Sequence, residues 1–277
     1  MLFVPAGANS FGFVQESDSG RPATNFGTTV TPAVGSKGSW AQVFAALTND
    51  THGLLICINS NTATANSRNS VVDIGIGPAS SEVVLIPDLI AGNASNYGTP
   101  GSGLWYYFPV AIPAGTRVAV RAQSTVTTAF RVFMQAMQRP LNPSMVKTAA
   151  YVDAFGMSVP SGTAVTAGAN AEGAWTLLGT TSRRCWHWEV GVQVSSADTE
   201  HNNATYHIDL AEGNGTNFDI LLRSVPFGIT TAENAVLPPW TVGCEVPVPA
   251  GRDIYVRAQS SNNNLDPLFI TAYGAGG

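Results

Sequence analysis

The sequence predicts an all-β chain: two tandem antiparallel β-sandwiches related by internal duplication. Three observations predict it. A signature segment occurs twice, first as Ile112-Pro113-Ala114-Gly115-Thr116-Arg117-Val118-Ala119-Val120-Arg121-Ala122-Gln123-Ser124. It returns as Val248-Pro249-Ala250-Gly251-Arg252-Asp253-Ile254-Tyr255-Val256-Arg257-Ala258-Gln259-Ser260. Apolar and polar residues alternate through both copies. Turn-forming clusters divide the first half into short segments, and no helical period longer than about two turns runs through it.

In the first copy Val118, Val120 and Ala122 share one face, and Arg117, Ala119, Arg121 and Gln123 share the other. In the second, Ile254, Val256 and Ala258 lie opposite Asp253, Tyr255, Arg257 and Gln259. This is the two-residue period of a half-buried strand, kept in register across a duplication. A Pro-Ala-Gly turn leads into the strand both times.

Taken in order, residues 1–22 form an N-terminal arm rich in Gly, Ser, Asn and Pro, with a few large apolar residues such as Phe11 and Phe13. Such an arm packs along its own domain or reaches a neighbour. The first repeat, 23–138, holds short strands near 27–31, 40–47, 54–60, 71–77, 83–86, 104–110, 116–124 and 130–137. Turn formers at Thr48-Asn49-Asp50, 59–69 and 92–103 separate them. A linker, 139–158, opens with Arg139-Pro140-Leu141-Asn142-Pro143, whose prolines break regular structure. Its stretch 144–155 reads as a short helix or as an extended strap.

The second repeat, 159–277, echoes the first. Gly27-Thr28-Thr29-Val30-Thr31 matches Gly162-Thr163-Ala164-Val165-Thr166, and Gly38-Ser39-Trp40 matches Gly173-Ala174-Trp175. Ile74 is expected opposite Ile208, and Trp105 opposite Trp240. Eight strands per copy favour the jelly roll over the immunoglobulin sandwich, whose Cys…Trp…Cys pattern is missing.

Charged residues make up 11% of the 277, against roughly 25% in ordinary globular proteins, and Lys37 and Lys147 are the only lysines among 13 basic residues. Lysine is costly to immobilise and is depleted at interface cores, where arginine is tolerated. Such a surface suits a protein covered by neighbours. It is also what a surface built of Ser, Thr, Asn and Gly looks like. The net charge of −5 argues against a nucleic-acid partner. No apolar run is long enough to insert in a membrane. Met1-Leu2-Phe3-Val4-Pro5-Ala6-Gly7 lacks the basic region of a secretory signal. Cys57, Cys185 and Cys244 make no disulfide framework, so synthesis in a reducing cytoplasm is expected.

The motifs for catalysis point nowhere. There is no paired-histidine helix, Cys-x-x-Cys, nucleophile elbow or phosphate loop. His201, His207 and Asp209 form the best polar cluster. The last two share a strand face, and the three read as a metal site or as a solvated face. Asp50, Asp73 and Asp88 lack the ligand density of a calcium loop. A hydrolase would need paired carboxylates, and Glu189, Asp198, Glu200, Asp209 and Glu212 offer only proximity in sequence. No cofactor, metal or catalytic residue is therefore assigned, and the chain reads as no enzyme.

Two kinds of residue remain as binding candidates. Arg121 and Gln123, with Arg257 and Gln259, recur in register and suit acidic or carbonyl groups of a neighbouring subunit, or a loop of their own domain. Trp105 and Tyr107, with Trp186 and Trp188, are candidate stacking platforms for a sugar. Alternation places Trp186 and Trp188 on the apolar face with Val190 and Val192, which favours burial in the second core.

The repeated Pro-Ala-Gly-x-x-x-x-Val-Arg-Ala-Gln-Ser, with its following β-rich strand and Gly-rich end, resembles virion structural proteins of tailed bacteriophages. The resemblance covers 113–137 and 249–273. It implies a building block present in many copies, in a homo-oligomer with other virion proteins. It also implies a place in the virion, as a tail, fibre or capsid-decoration component with an adhesive role. The alternative is a module that binds host glycan. A likeness this general transfers no functional residue.

Overall fold

The computed structural model describes residues 14–17, 27–59, 70–91, 104–138, 146–158, 161–194, 204–229, 236–237, 245–262 and 267–277. The first half contains β1 (Val14–Ser17), β2 (Thr28–Val30), β3 (Ala33–Val34), β4 (Ala41–Phe44), β5 (Thr51–Asn59), β6 (Ser70–Ile76), β7 (Val83–Ala91), β8 (Leu104–Phe108), β9 (Val118–Ser124) and β10 (Phe130–Gln138). The second contains β11 (Tyr151–Phe155), β12 (Thr163–Thr166), β13 (Gly168–Ala169), β14 (Thr176–Thr180), β15 (Cys185–Val194), β16 (Thr205–Gly213), β17 (Phe218–Ile229), β18 (Val236–Leu237), β19 (Asp253–Ser260) and β20 (Pro267–Gly276).

In the first half one sheet runs β1-β10-β5-β8, with β2 also on β10, and the other runs β3-β9-β6-β7, with β4 also on β9. The chain crosses between the two sheets in the order of a jelly roll, an eight-stranded pair of Greek keys. We call them the terminal sheet, which carries β10, and the signature sheet, which carries β9. Their inward faces enclose one core that includes Leu54, Ile56, Phe108, Val120 and Met134. The second half repeats the plan. Its terminal sheet joins β11, β12 and β15 to β20, and its signature sheet runs β13-β19-β16-β17-β18 with β14 on β19.

The duplication extends to irregularities. Ala33 and Val34 pair parallel to Gln123 and Ser124, as Gly168 and Ala169 do to Gln259 and Ser260. β4 slips register between Gln42 and Phe44, and β14 between Leu177 and Gly179. Gly38 donates its N–H to Ala122 O, and Gly173 to Ala258 O. A Cβ on either would meet a backbone oxygen at 2.8 Å, which only glycine avoids.

Three expectations change. Ile74 does not face Ile208: Val72 and Ile208 pair with Ala122 and Ala258, so the partner of Ile74 is Leu210. Asp73 consequently corresponds to Asp209, both opposite the arginines of the signature strand. The stretch 144–155 includes strand β11, which pairs with β20 as Val14–Ser17 of the arm pairs with β10. Each repeat thus begins with a strand laid beside its own last strand. Trp186 leaves the second core, because β15 bulges between Cys185 and His187. Cys185 and Trp188 face that core, while Trp186 is turned to the other side. Trp240, like His201, Asp198, Glu200 and Cys244, lies outside the described residues.

The Pro-Ala-Gly turn recurs for a backbone reason. Gly115 and Gly251 sit at φ 77° and 81°, and nothing lies within 4 Å of a Cβ on either. Gly251→Ala therefore tests conformation alone. It should destabilise the chain by about 1 kcal/mol in urea unfolding with the slope unchanged.

Candidate functional site

Two places concentrate the polar chemistry: a cluster repeated on each signature sheet, and the joint between the halves. In the first cluster Asp73 is buried on β6 opposite Arg121 on β9. Arg121 Nε donates to Asp73 Oδ2 at 2.9 Å, and the guanidinium lies 4.5 Å over the Trp40 ring. Asp73 Oδ1 accepts the N–H of Asp88 at 3.0 Å. Asp88 stands at φ 50° in a bulge of β7, where Val72 pairs with Leu89 but Ile74 pairs with Ile86. The carboxylate thus holds the strained turn and the arginine together.

The second cluster is built alike. Arg257 Nε and Nη2 donate to Asp209 Oδ2 at 2.9 and 2.7 Å, and the guanidinium lies 4.4 Å over Trp175. Asp209 Oδ1 accepts the N–H of Ser224, which stands at φ 52° in the matching bulge of β17. The copies differ where charge must balance. In the first, Asp88 adds a second carboxylate, and Lys37 Nζ answers it at 2.5 Å while lying 2.6 Å from Asp73. In the second, serine replaces Asp88 and Glu172 stands at the place of Lys37. Glu172 Oε2 takes the remaining Nη1 of Arg257 at 2.5 Å. One of the two lysines of the chain is thereby explained.

The joint is formed by the β7 and β8 side of the first half against the outer face of the second terminal sheet. Tyr273 Oη accepts the N–H of Ile90 at 2.7 Å and donates to Asp88 O at 2.8 Å. Tyr106 Oη donates to Ile90 O at 2.7 Å, and the two tyrosine rings meet edge to face. Gln193 Nε2 donates to Ser70 O at 2.9 Å. Val152, Trp186, Tyr273 and Ala275 belong to the apolar cluster of the first core, which therefore runs through the joint. Burial pushes the Tyr106 and Tyr273 hydroxyls far above the ordinary tyrosine range, so both remain donors.

His187 and Glu189 are sealed in the same joint, each about 2% exposed. His187 Nε2 donates to Tyr107 O at 2.9 Å and lies 3.3 Å from Glu189 Oε1. Burial raises the Glu189 carboxyl above the usual carboxylate range, and the nearby histidine offsets only part of that.

Arg121 and Arg257 spend their forks on their own half. Gln123 is buried and Gln259 half-buried on the same faces. Trp188 lies in the second core, where its Nε1 donates to Val246 O at 3.0 Å. Trp186 is buried with Lys147 Nζ 3.7 Å from its ring. Neither Trp186 nor Trp188 presents a ring face to a sugar. Trp105 and Tyr107 share the outer face of the first terminal sheet and are half-buried, with Tyr107 edge-on to His187. His207 is exposed beside Asp209, whose oxygens serve Arg257 and Ser224. Glu212 pairs with Arg252 at 3.0 Å, and Asp50 accepts the N–H of Ala114 at 2.8 Å. Cys57 and Cys185 are buried thiols raised to about 12 by burial.

The sequence reading missed both Asp–Arg pairs. Their signal was present: the spacing between the two signature strands, carried back along the chain, brings Asp73 onto Asp209 and Asp88 onto Ser224.

No protein-family model and no curated protein matches this sequence. Among solved structures, the STIV MCP aligns over 95% of this chain and 96% of that one, at 10% identity and TM-score 0.37. PNGF-II aligns over 95% of this chain and 65% of its own, at 8% identity and TM-score 0.39. The CBM22-1–CBM22-2 tandem domain of Paenibacillus barcinonensis Xyn10C aligns over 95% and 91%, at 9% identity and TM-score 0.26. Likenesses this distant assign no function.

Two outcomes test the site. Asp209→Asn sets an amide N–H₂ or an uncharged oxygen against Arg257 and should cost about 2–4 kcal/mol in denaturant unfolding. Glu189 gives a pH dependence of known sign. Its folded-state pKa is raised, so the folded chain holds that proton more tightly than the unfolded one. Stability from this group is complete below the ordinary carboxylate pKa and falls as pH rises from there through the raised value. Glu189→Gln should flatten the fall of the melting temperature over that pH range.

Proposed function

We propose that this chain is a non-enzymatic building block of a virus particle, of the tailed-bacteriophage kind that its repeated motif resembles. It is present in many copies, as a capsid-decoration component or in the tail and its adhesion apparatus. One observation carries the reading: the features that the two halves share are framework, not chemistry. Asp73, Arg121 and Trp40, like Asp209, Arg257 and Trp175, fix a bulged strand to the signature strand. The joint then locks the halves through buried tyrosines. A rigid double unit with few charges suits lateral packing, where each desolvated charge is a cost and apolar area a gain. The outer face of the first terminal sheet adds half-buried Phe133 beside Trp105 and Tyr107, while Leu55 and Cys57 of the same face are already buried.

Electron microscopy and light scattering of the purified chain test this. Regular multi-copy assemblies that grow with concentration are expected. A monomer that persists at micromolar concentration and binds no particle would end the reading.

A further inference from the structure

The joint is asymmetric: the β7 side of one jelly roll sits on the outer terminal-sheet face of the next. Each half carries both surfaces, so a tandem of two uses one of each and leaves one of each over. In the first half, Gly53, Leu55, Phe133 and Gln135 occupy the places that His187, Glu189, Thr271 and Tyr273 hold in the second. All four residues of the second-half set are buried; of the first-half set Gly53 and Leu55 are buried as well, while Phe133 and Gln135 are only half-buried. At the other end, Ser224 and Pro226 stand where Asp88 and Ile90 meet Tyr273. Ile90 is fully buried, whereas Ser224 and Pro226 are exposed.

We propose that copies of this chain associate head to tail, the exposed β17 segment at Ser224 and Pro226 of one copy seating on the outer face around Phe133 and Gln135 of the next. The inference rests on the multi-copy reading and names the surfaces and their direction. The internal joint is its template. Tyr273 donates to the carbonyl of Asp88, and the side-chain amide of Gln135 supplies a donor for the carbonyl of Ser224. Ile90 offers an N–H that Tyr273 accepts, while Pro226 has none, so no donor is orphaned when the face is covered. Half-buried Phe133 in place of Thr271 offers an apolar contact, and buried Leu55 in place of Glu189 leaves no carboxylate there to desolvate. A contact between unlike surfaces propagates as a ring or a filament rather than stopping at a two-fold dimer.

Cross-linking tests the direction. Gln135→Cys and Pro226→Cys are made singly and together in the full chain, and a short bis-maleimide is added at concentrations where the wild type assembles. An equimolar mixture of the single variants should give cross-linked dimers, each single variant alone should stay uncross-linked, and the double variant should give a ladder. Phe133→Arg, with an unchanged melting curve, should weaken assembly by about tenfold or more. Assembly that proceeds without these cross-links, or that joins like positions, overturns the head-to-tail contact and leaves the multi-copy reading standing. A wild-type chain that never assembles overturns both.

Discussion

The hydroxyl of Tyr273 is the point on which the arrangement turns. It takes one hydrogen bond from the backbone of the first half and returns another, inside a region closed to water. A buried backbone N–H or carbonyl left unpaired costs about 1–3 kcal/mol, so sliding the halves against each other would orphan Ile90 and Asp88 together. The apolar cluster extends across the boundary through Trp186, Val152 and Ala275. Hydrophobic contact supplies adhesion without direction, and the tyrosine pair supplies the register.

The same strand segment serves two purposes. Asp88 gives its carbonyl to Tyr273, its N–H to Asp73 and its carboxylate to Lys37. The bulge that sets Asp88 at positive φ is thus tied to the signature strand on one side and to the second half on the other. Ser224 keeps the backbone role in its own half without the charge, and the lysine disappears with it. The two copies have diverged in charge while preserving the geometry that the charge supports.

Much of this was legible in the sequence, because strands announce themselves by a two-residue period and turns by glycine and proline. The signature strands, most strand positions and the all-β duplication follow from those signals. Trp186 shows where they stop. One extra residue in a strand reverses every side chain beyond it, and nothing in Cys185-Trp186-His187-Trp188 marks the bulge. β11 was hidden because Tyr151–Phe155 pairs with the far end of the chain and follows a proline-rich stretch. Asp73 and Arg121 are 48 residues apart, a partnership that only the sheet register discloses. Trp105 and Tyr107 stand two apart on β8, so alternation puts them on one face, but what lies against that face is a matter of packing, which alternation does not encode.

A joint of this kind requires the two jelly rolls to unfold as one cooperative body. Differential scanning calorimetry of the intact chain measures this directly. A single transition is predicted, with calorimetric and van't Hoff enthalpies in agreement. Two separated transitions, each carrying about half the heat, would mean that the joint does not couple the halves.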